Sequence, residues 1–384
     1  MTPTLAPEDW PLDPAVTYLN HGGYGVCPRP VLAAQAEWRA QIERNPTGFM
    51  TRILPRALRE AAAMIAATLG ARGEDLVFID NATTGCNAVL ASLDLRAGDE
   101  ILLTSLGYGA IAKAARHWAA RAGARVVEAE IPVPLPDDDT LLRAVATRLG
   151  PRTRLAVFDH VASQSALLLP VAALTRLAHE AAVPVLIDGA HAPGLVPLAI
   201  AAIGADWYVG NCHKWLFAPR ACAFLQAQAS RQGTLHPLTI SHGLGAGFTA
   251  EFDWTGTRDP SPFLAAPEGA AFHARLGGAA LRARNDALAH EAAQFLARLW
   301  HTELGGPPAS FAAMVTVRLP DRGAPSEARA DALRLFLAER HRIEIAVVAF
   351  ANALWVRLAA QIYNDIGDYE KLATAVGDWL RSSA

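Results

Sequence analysis

Lysine is the residue type whose distribution in this sequence says most about chemistry. The 34 Lys and Arg residues include only three lysines, so arginine supplies nearly every other cation. Lys113 and Lys371 lie in amphipathic helical contexts typical of the surface. Lys214 instead follows the apolar run Trp207–Val209, in a loop at a strand end. An amine forms an imine with an aldehyde and a guanidinium does not, so Lys214 is the candidate for a covalent cofactor link. The alternative is a surface loop lysine.

A carboxylate follows another apolar run. The run Val183–Ile187 leads into Asp188, and glycine and proline then turn the chain near His191. A carboxylate at a strand end can keep a pyridine nitrogen protonated, which makes such a ring an electron sink. His191 is close enough in sequence to reach a phenolic oxygen of the same ring. The alternative is that Asp188 caps the next helix.

A third segment has the composition of an anion site. The run Leu76–Ile79 is followed by Asp80–Gly85, which contains two threonines and a glycine, and by a helical run Cys86–Leu95. The start of a helix offers free N–H groups and a positive dipole end to an anion. Threonine caps many helices, so this segment predicts a phosphate site only in combination with Lys214 and Asp188.

Two further loops follow predicted strands. The loop Thr104–Gly109 carries Tyr108, whose ring can stack on a flat cofactor, although an aromatic there is as often core packing. The loop Asp159–Gln164 brings polar side chains to the same rim.

The elements that position these residues alternate between strand-like and helical patterns from about residue 60 to 225. This alternation predicts an α/β fold with a mainly parallel sheet and helices on both faces. Such sheets bind ligands at the carboxyl ends of their strands, where all of these loops meet. The predicted strands are Leu76–Ile79, Glu100–Leu103, Arg125–Glu128, Leu155–Phe158, Pro184–Ile187, Trp207–Val209 and Ala221–Leu225.

The alternation ends in a Gly/Pro-rich stretch, His242–Pro267. After it come one long helical segment, Glu268–Leu299, and two strand-like runs, Ala313–Arg318 and Ala353–Leu358. These indicate a smaller C-terminal α+β domain. We therefore expect an N-terminal arm (1–20), a large domain (21–255) and a small domain (256–384).

Composition limits the partners. A net charge of -3 and a pI near 6.5 leave no strong field for nucleic acid or an anionic membrane. No apolar run reaches the roughly 20 residues of a membrane span, and the start of the chain lacks the basic region of a signal peptide. We expect a cytoplasmic protein without a metal site. Without C-x-x-C spacing, its cysteines are expected to be free thiols: Cys27, Cys86, Cys212 and Cys222.

The order of the motifs resembles class V aminotransferase-fold enzymes that use pyridoxal 5'-phosphate (PLP), most closely the isopenicillin N epimerase-like branch. The resemblance runs from Tyr18 to the C-terminus. It implies a fold-type I homodimer with active sites at the subunit interface. The motifs are Tyr18–Gly25, Asn81–Gly85, Asp188–Gly194, Asn211–Trp215, Trp254–Asp259 and Arg357–Asn364.

The same resemblance implies roles for individual residues. Lys214 matches the lysine that holds PLP as a Schiff base, Asp188 the partner of the pyridine nitrogen and His191 the residue near the phenolic oxygen. Thr257 matches a residue that reaches the phosphate of the partner subunit, and Arg357 one that binds the substrate carboxylate. Further cofactor positions are Ala82, Thr83, Tyr108, Ser163, Asn211 and His213; further substrate positions are Asn20, Tyr24, Gln164 and Arg258.

The expected reaction begins with removal of the α-proton by Lys214 and ends in epimerisation or β-elimination. A C–S lyase acting on a cysteine conjugate such as hercynylcysteine sulfoxide is one alternative, an aminotransferase another, and a non-enzymatic protein that kept the fold a third. Cysteine desulfuration is disfavoured, because the last cysteine is Cys222 and desulfurases of this fold use one far beyond the lysine. Tyr24 and Gln164 depart from the family pattern, so the substrate cannot be transferred from a named relative.

Overall fold

The predicted strands of the first part of the chain assemble into one sheet in the computed structural model, which describes residues 7–321 and 323–382. Most of the predicted N-terminal arm is included, but its first six residues lie outside the described part. The strands are β1 (Thr17–Tyr18), β2 (Leu76–Ile79), β3 (Glu100–Thr104), β4 (Arg125–Ala129), β5 (Thr153–Asp159), β6 (Val185–Asp188), β7 (Trp207–Asn211), β8 (Ala223–Ala227), β9 (Met314–Arg318), β10 (Ile343–Glu344), β11 (Ala346–Phe350) and β12 (Ala353–Ala359).

Helices connect and cover these strands, together with short 3-10 turns at Pro7–Asp9, Gly73–Asp75 and Pro308–Ser310 and a π-helical turn at Phe49–Ile53. The α-helices are α1 (His21–Tyr24), α2 (Arg29–Arg44), α3 (Pro46–Gly48), α4 (Leu54–Thr68), α5 (Ala82–Ala91), α6 (Gly109–Arg121), α7 (Asp138–Ala146), α8 (Val171–Glu180), α9 (Ile200–Ile203), α10 (Ala229–Gln232), α11 (Phe248–Asp253), α12 (Ser261–Leu264), α13 (Ala266–Arg275), α14 (Ala279–Trp300), α15 (Glu327–His341) and α16 (Ile366–Ser382).

The central sheet has seven strands in the order β2-β8-β7-β6-β5-β3-β4. Strand β8 runs antiparallel to both of its neighbours, and the other pairs are parallel. Strands β2, β3, β6, β7 and β8 are buried along their whole length, as expected for a sheet covered on both faces. The predicted α/β architecture with a mainly parallel sheet is confirmed.

A second, antiparallel sheet has the order β11-β12-β9, and helices α14 and α15 pack against it. The N-terminal segment joins this part of the molecule, because β1 pairs in parallel with β10. Helix α13, in contrast, packs on α2 and α4 near the start of the chain. The boundary between residues 255 and 256 stays a prediction.

Two predicted helices differ from those observed. The segment Glu268–Leu299 is not one helix, because Gly277 and Gly278 have φ values of 102° and 52° and separate α13 from α14. The run expected from Cys86 begins at Ala82, so the expected anion-binding residues form the first turn of α5 itself.

The surface and thiol predictions are confirmed. Lys113 and Lys371 are exposed, and the four cysteines are buried and unpaired. Among the described residues, no helix has the combined length and apolar character needed to cross a bilayer.

Candidate active site

A cavity of about 460 Å³ opens at the carboxyl ends of the central strands and extends to β11 and β12. It brings together most of the residues that the sequence singled out, namely Asn20, Tyr24, Ala82, Thr83, Tyr108, Ser163, Asp188, His191, Asn211, His213, Lys214 and Arg357. Lining residues to which the sequence gave no individual cofactor or substrate role include Gly22, Gly23, Asn81, Asp159, Arg334, Ala346, Val347 and Val348.

A larger groove of about 910 Å³ lies between α7, α8 and α9. It is lined mainly by Pro, Ala and Leu side chains, with three aspartates, Asp137, Asp138 and Asp139, on one side. No lysine lines it. The chemistry suggested by the sequence therefore belongs to the smaller cavity.

Lys214 lies in the loop after β7, three residues beyond the end of that strand. Its Nζ atom is 3.2 Å from Nε2 of His191. Burial, and to a smaller extent the guanidinium of Arg357, lower the pKa of Lys214 to about 7, although the negative charge of Asp188 opposes both effects. Near neutral pH a large fraction of Lys214 is therefore a free amine, the form that acts as a nucleophile or base.

Asp188 is the last residue of β6, and its Oδ1 atom accepts a hydrogen bond of 3.0 Å from the backbone N–H of Ala190. No helix begins in the described stretch 189–199, so the interpretation of Asp188 as a helix cap is wrong. Burial raises the pKa of Asp188, while the Ala190 N–H and the Lys214 ammonium lower it. Among the described side chains, no arginine forms a salt bridge with this carboxyl group.

Asp159 is a buried carboxyl group of the same cavity, which the sequence placed at the rim of the site without giving it a role. It is the last residue of β5 and the register partner of Asp188 on β6. Burial and the charge of Asp188 raise the pKa of Asp159 well above its usual value. Of the two, Asp159 is the group that keeps its proton, and Asp188 provides the carboxylate. The predicted strand stopped at Phe158, one residue too early to reveal this pairing.

The first turn of α5 forms another wall of the cavity. Asn81 caps the helix by accepting a 2.9 Å hydrogen bond from the Thr84 N–H, and Asn211 Oδ1 accepts one of 2.9 Å from the Ala82 N–H. The Thr83 N–H between them belongs to the group of helix-start donors that have no partner within the helix. This donor and the Thr83 hydroxyl offer an anion site.

His213 lies beside this wall, and its Nδ1 atom donates a 2.9 Å hydrogen bond to the carbonyl oxygen of Cys222. Burial lowers its pKa to about 4, with smaller contributions from Lys214 and Arg220, so the ring is neutral in the protein alone. Its Nε2 atom is then an acceptor, and it becomes a donor only after taking up a proton.

Arg357 lies in β12 and is only 5% exposed, so it is not one of the many surface arginines of this chain. Its Nη1 atom donates to the Ser163 carbonyl oxygen at 2.5 Å and its Nη2 atom to Asn20 Oδ1 at 3.0 Å. Its Nε atom is buried without a partner among the described residues, and none of their carboxylates pairs with the guanidinium. Burial lowers the pKa of Arg357 to about 10. A buried, uncompensated cation at the end of the cavity is suited to an anionic ligand.

Close packing fixes the lysine loop. A Cβ atom on Gly25, where φ is 68°, would lie 2.1 Å from the carbonyl oxygen of His213. A Cβ atom on Gly194, where φ is 84°, would lie 2.3 Å from the carbonyl oxygen of Trp215. These two glycines allow the N-terminal segment and the loop after β6 to pack directly against the backbone on either side of Lys214.

Three predicted site residues lie outside this cavity. Gln164 lines a separate cavity with Phe350 and Ala351, although its neighbour Ser163 lines the main one. Arg258 pairs with Asp80 at 3.3 Å and lies over the ring of Phe263. Thr257 is exposed on the loop after α11.

Comparison with known proteins identifies the family. The family model described as Aminotransferase class-V matches residues 18–346. The chain belongs to this family. Its members depend on PLP, and the chain is accordingly a PLP-dependent enzyme.

Two curated relatives are similar to nearly the whole chain. A putative L-cysteine desulfhydrase 1 of Oryza sativa subsp. japonica is 35% identical, over 94% of this chain and 82% of its own length. An isopenicillin N epimerase of Amycolatopsis lactamdurans is 36% identical, over 97% of both chains. The fold matches a solved structure of a C-DES mutant with glycine covalently linked to its PLP cofactor, with a TM-score of 0.81, 24% identity and coverage of 98% and 100%.

The cavity fits the cofactor of the class-V family. It offers a single amine at Lys214, a buried carboxylate at Asp188 and helix-start donors at Thr83. Nδ1 of His191 is buried without a hydrogen-bond partner among the described residues, so it is free for a polar ligand. An aldehyde, a pyridine nitrogen, a phenolic oxygen and a phosphate each have a matching group in one pocket.

Proposed function

We propose that this enzyme removes the α-proton of a cysteine-like amino acid and eliminates the group on its β-carbon, as a C–S lyase. The observation that carries the proposal is the placement of Lys214, with a pKa near 7, and Arg357, buried without a carboxylate partner, in one cavity. One group is suited to move a proton, and the other is suited to hold a carboxylate.

Arg357 would bind the substrate carboxylate through its planar guanidinium, a bidentate geometry that a lysine cannot offer. Asn20 and Ser163 hold this guanidinium from the other side. The carboxylate would replace the missing counter-ion of Arg357 and fix the orientation of the substrate's α-carbon within the cavity.

PLP, when bound, supplies the electron sink that stabilises negative charge on the substrate's α-carbon. Asp188 would keep the pyridine nitrogen protonated, and Thr83, Asn211 and, after taking up a proton, His213 would hold the phosphate. Ala82, Tyr108 and Ser163 are the further cofactor positions, with Tyr108 as the stacking ring. Lys214 would hold the cofactor and, once released by the substrate amine, take the proton from Cα as a base near its own pKa.

Elimination is favoured over epimerisation by the number of bases that each reaction needs. Removal of one proton and loss of a thiol require one base, and Lys214 is the only amine among the described residues that line the cavity. Epimerisation also requires a proton to return to the opposite face of the α-carbon. It is the second candidate, because the identity to the isopenicillin N epimerase extends over 97% of both chains.

The fate of the sulfur also supports elimination. Transfer of sulfur to the enzyme needs a reactive cysteine at the cavity, and no cysteine lines it among the described residues. Burial raises the pKa of Cys27 to about 12, and that of Cys86 and Cys222 also rises on burial. Thiols that keep their protons are poor nucleophiles, so the sulfur leaves with the product.

The active form would be a homodimer in the cytoplasm. Thr257 is exposed and does not line the cavity of its own chain, which suits a role at the phosphate of the partner subunit. Tyr24 and Tyr108 line the cavity but are 71% and 42% exposed in the single chain, as residues beside a subunit interface would be. Unpaired cysteines are typical of a reducing compartment.

Incubation with candidate substrates in heavy water, followed by NMR, tests the proposal. Cysteine and S-substituted cysteines should give pyruvate, ammonia and a sulfur product without any added 2-oxo acid. Recovery of deuterated substrate in both configurations at the α-carbon would contradict the lyase proposal and indicate an epimerase. Turnover that requires a 2-oxo acid, with transfer of the amino group to it, would contradict both and indicate an aminotransferase.

A further inference from the structure

His21 is a buried histidine beside the cavity that has no role in the proposed reaction. It is 0% exposed and lies at the start of the short helix α1. Its ring packs against Trp215 at a centroid distance of 4.8 Å and against Phe217 at 5.7 Å. Both aromatic residues belong to the loop that carries Lys214. A histidine in such surroundings must use both ring nitrogens in hydrogen bonds or leave one buried without a partner.

Both nitrogens of His21 have partners, and these partners fix the state of the ring. Nε2 is 3.1 Å from the carbonyl oxygen of Lys214, which can only accept, so Nε2 carries the hydrogen. Nδ1 is 2.8 Å from the hydroxyl of Tyr363 and therefore accepts from it. Burial lowers the pKa of His21 to about 3, so the neutral tautomer persists at any working pH.

The segment that carries His21 also contacts Arg357. Asn20, the preceding residue, accepts the 3.0 Å hydrogen bond from Arg357 Nη2. Gly25, at the other end of α1, lies so close that a Cβ atom there would be 2.9 Å from Cα of Lys214. The segment Asn20–Gly25 therefore contacts the backbone of the proposed base and the side chain of the proposed carboxylate site.

The C-terminal part of the chain fixes this segment in turn. The N–H of Leu19 donates to the Glu344 carbonyl oxygen at 2.8 Å, and Asn20 forms a parallel bridge with Ala359. Tyr363 follows β12 by four residues and holds His21 through its hydroxyl. The distance between Lys214 and Arg357 is thus set by a hydrogen-bonded segment and not by loop packing alone.

We propose that His21 is a positioning residue, which holds the Lys214 backbone at the place from which its amine reaches the substrate's α-carbon. The inference rests on the proposed role of Lys214. Loss of the His21 donor leaves the Lys214 carbonyl unsatisfied and frees the lysine loop to shift away from Arg357. Because Arg357 and burial both act on the Lys214 nitrogen, such a shift changes the pH at which that nitrogen titrates, both as the free amine and when it is bound to the cofactor.

The test compares the PLP-loaded wild type with His21→Phe, His21→Gln and Tyr363→Phe, using the pH midpoint of the visible absorbance of the lysine-bound cofactor. Phe fills the space without a donor, and Gln restores one. We expect His21→Phe to shift the midpoint by about half a unit or more, with Gln closer to the wild type. Tyr363→Phe, which only removes the hydroxyl that fixes the tautomer, should shift it less.

Kinetics provide the second measurement. His21→Phe should lower kcat about tenfold, the effect of roughly one hydrogen bond, with KM changed by less than about twofold. Asn20→Ala should instead raise KM with little change in kcat, because it loosens the carboxylate site. A matched control is Leu19→Ala, which removes a fully buried side chain next to the same segment and leaves the side chains of Asn20 and His21 in place. It should lower the unfolding temperature and leave the absorbance midpoint unchanged.

The absorbance titration needs no substrate, so the two proposals fail separately. A wild type without lysine-bound cofactor absorbance would overturn the proposed function and this inference together. If the wild type shows that absorbance and His21→Phe has the same pH midpoint as the wild type, the inference alone is overturned. The same holds if Leu19→Ala shifts the midpoint as much as His21→Phe, since His21 would then act only through stability.

Discussion

Asp159 and Asp188 are register partners at the ends of two adjacent parallel strands, and both are buried at the same cavity. Two carboxyl groups in this arrangement do not ionise together at neutral pH. The pair presents one negative charge to the cavity, and Lys214 favours placing it on Asp188. Two aspartates therefore have different roles because of their positions: Asp159 is the protonated acid and Asp188 is the carboxylate.

Asp159→Asn should stabilise the cofactor-free protein increasingly as the pH rises. The folded-state pKa of Asp159 is raised, so its contribution to stability is present below the unfolded pKa and is lost as the pH rises through the folded one. Asparagine does not titrate. Urea unfolding at pH 5 and pH 8 should show a relative gain of at least about 1 kcal/mol for the variant at the higher pH. The exposed control Asp94→Asn should show little change, and a constant difference for Asp159→Asn would contradict the assignment.

Lys214→Met should abolish the borohydride-reducible visible absorbance and also stabilise the cofactor-free protein near neutral pH. The folded-state pKa of Lys214 is lowered to about 7, so the stability it provides is present above the unfolded pKa and is lost as the pH falls through 7. The advantage of the variant over the wild type should shrink by about 2–3 kcal/mol between roughly pH 7 and pH 9.5. An advantage that does not depend on pH would show that the amine is not desolvated.

Asp188→Asn should still bind PLP but exchange the substrate α-hydrogen more slowly. A neutral amide does not keep the pyridine nitrogen protonated, and charged hydrogen bonds contribute about 1.5–3 kcal/mol, or roughly tenfold to hundredfold in rate. Deuterium incorporation followed by NMR measures the effect. An undiminished exchange rate would remove Asp188 from the mechanism.

Arg357→Lys should raise KM for amino-acid substrates by roughly tenfold to hundredfold although the charge is kept, because the planar guanidinium is lost. Arg318→Lys is the matched control. It changes an arginine at the end of β9 in the same small sheet that is exposed and pairs with Glu303. Steady-state kinetics with both variants should separate them, and equal KM values would show that Arg357 does not bind the carboxylate.

Mixing two inactive variants tests the dimer. If Thr257 reaches the phosphate of the partner subunit, a heterodimer of Lys214→Ala and Thr257→Ala has one site with both residues intact. Activity and tight PLP binding should then return on mixing after mild dissociation, up to about half of the heterodimer sites. If Thr257 serves its own chain, every site keeps one defect and no activity returns beyond that of Thr257→Ala. A fully active monomer would also contradict the proposal.

Much of the site was predictable because its residues follow strands that the sequence pattern reveals. Lys214, Asp188 and Thr83 each follow an apolar run closely, and parallel strands bring their carboxyl ends to one edge. Asp159 was placed at the rim, but its pairing with Asp188 was missed because the predicted strand stopped one residue early, at a boundary where sequence patterns carry least information. Val347 and Val348 were missed with the whole of β11, which was not predicted as a strand.

Other features depend on contacts between distant parts of the chain. Gln164 and Ser163 are neighbours in sequence, yet they line different cavities because the short turn after β5 directs them apart. Nothing local distinguishes Arg357 from the many other arginines, since its hydrogen-bond partners Ser163 and Asn20 lie far away in the sequence. The break between α13 and α14 was visible as two glycines but was outweighed by the helical composition around it.

The close approach of Gly25 and Gly194 to the lysine loop also has a consequence for the order in which the protein folds. His21 and Lys214 are 193 residues apart, and the N-terminal segment is held by β10 and β12 near the other end of the chain. Contacts of such long range form late, after the local helices and neighbouring strands. A nascent chain that ends after β8 contains Lys214 but lacks the elements that fix its loop. During refolding, attachment of PLP should therefore lag behind the recovery of helical signal, and the cofactor should attach only to completed molecules.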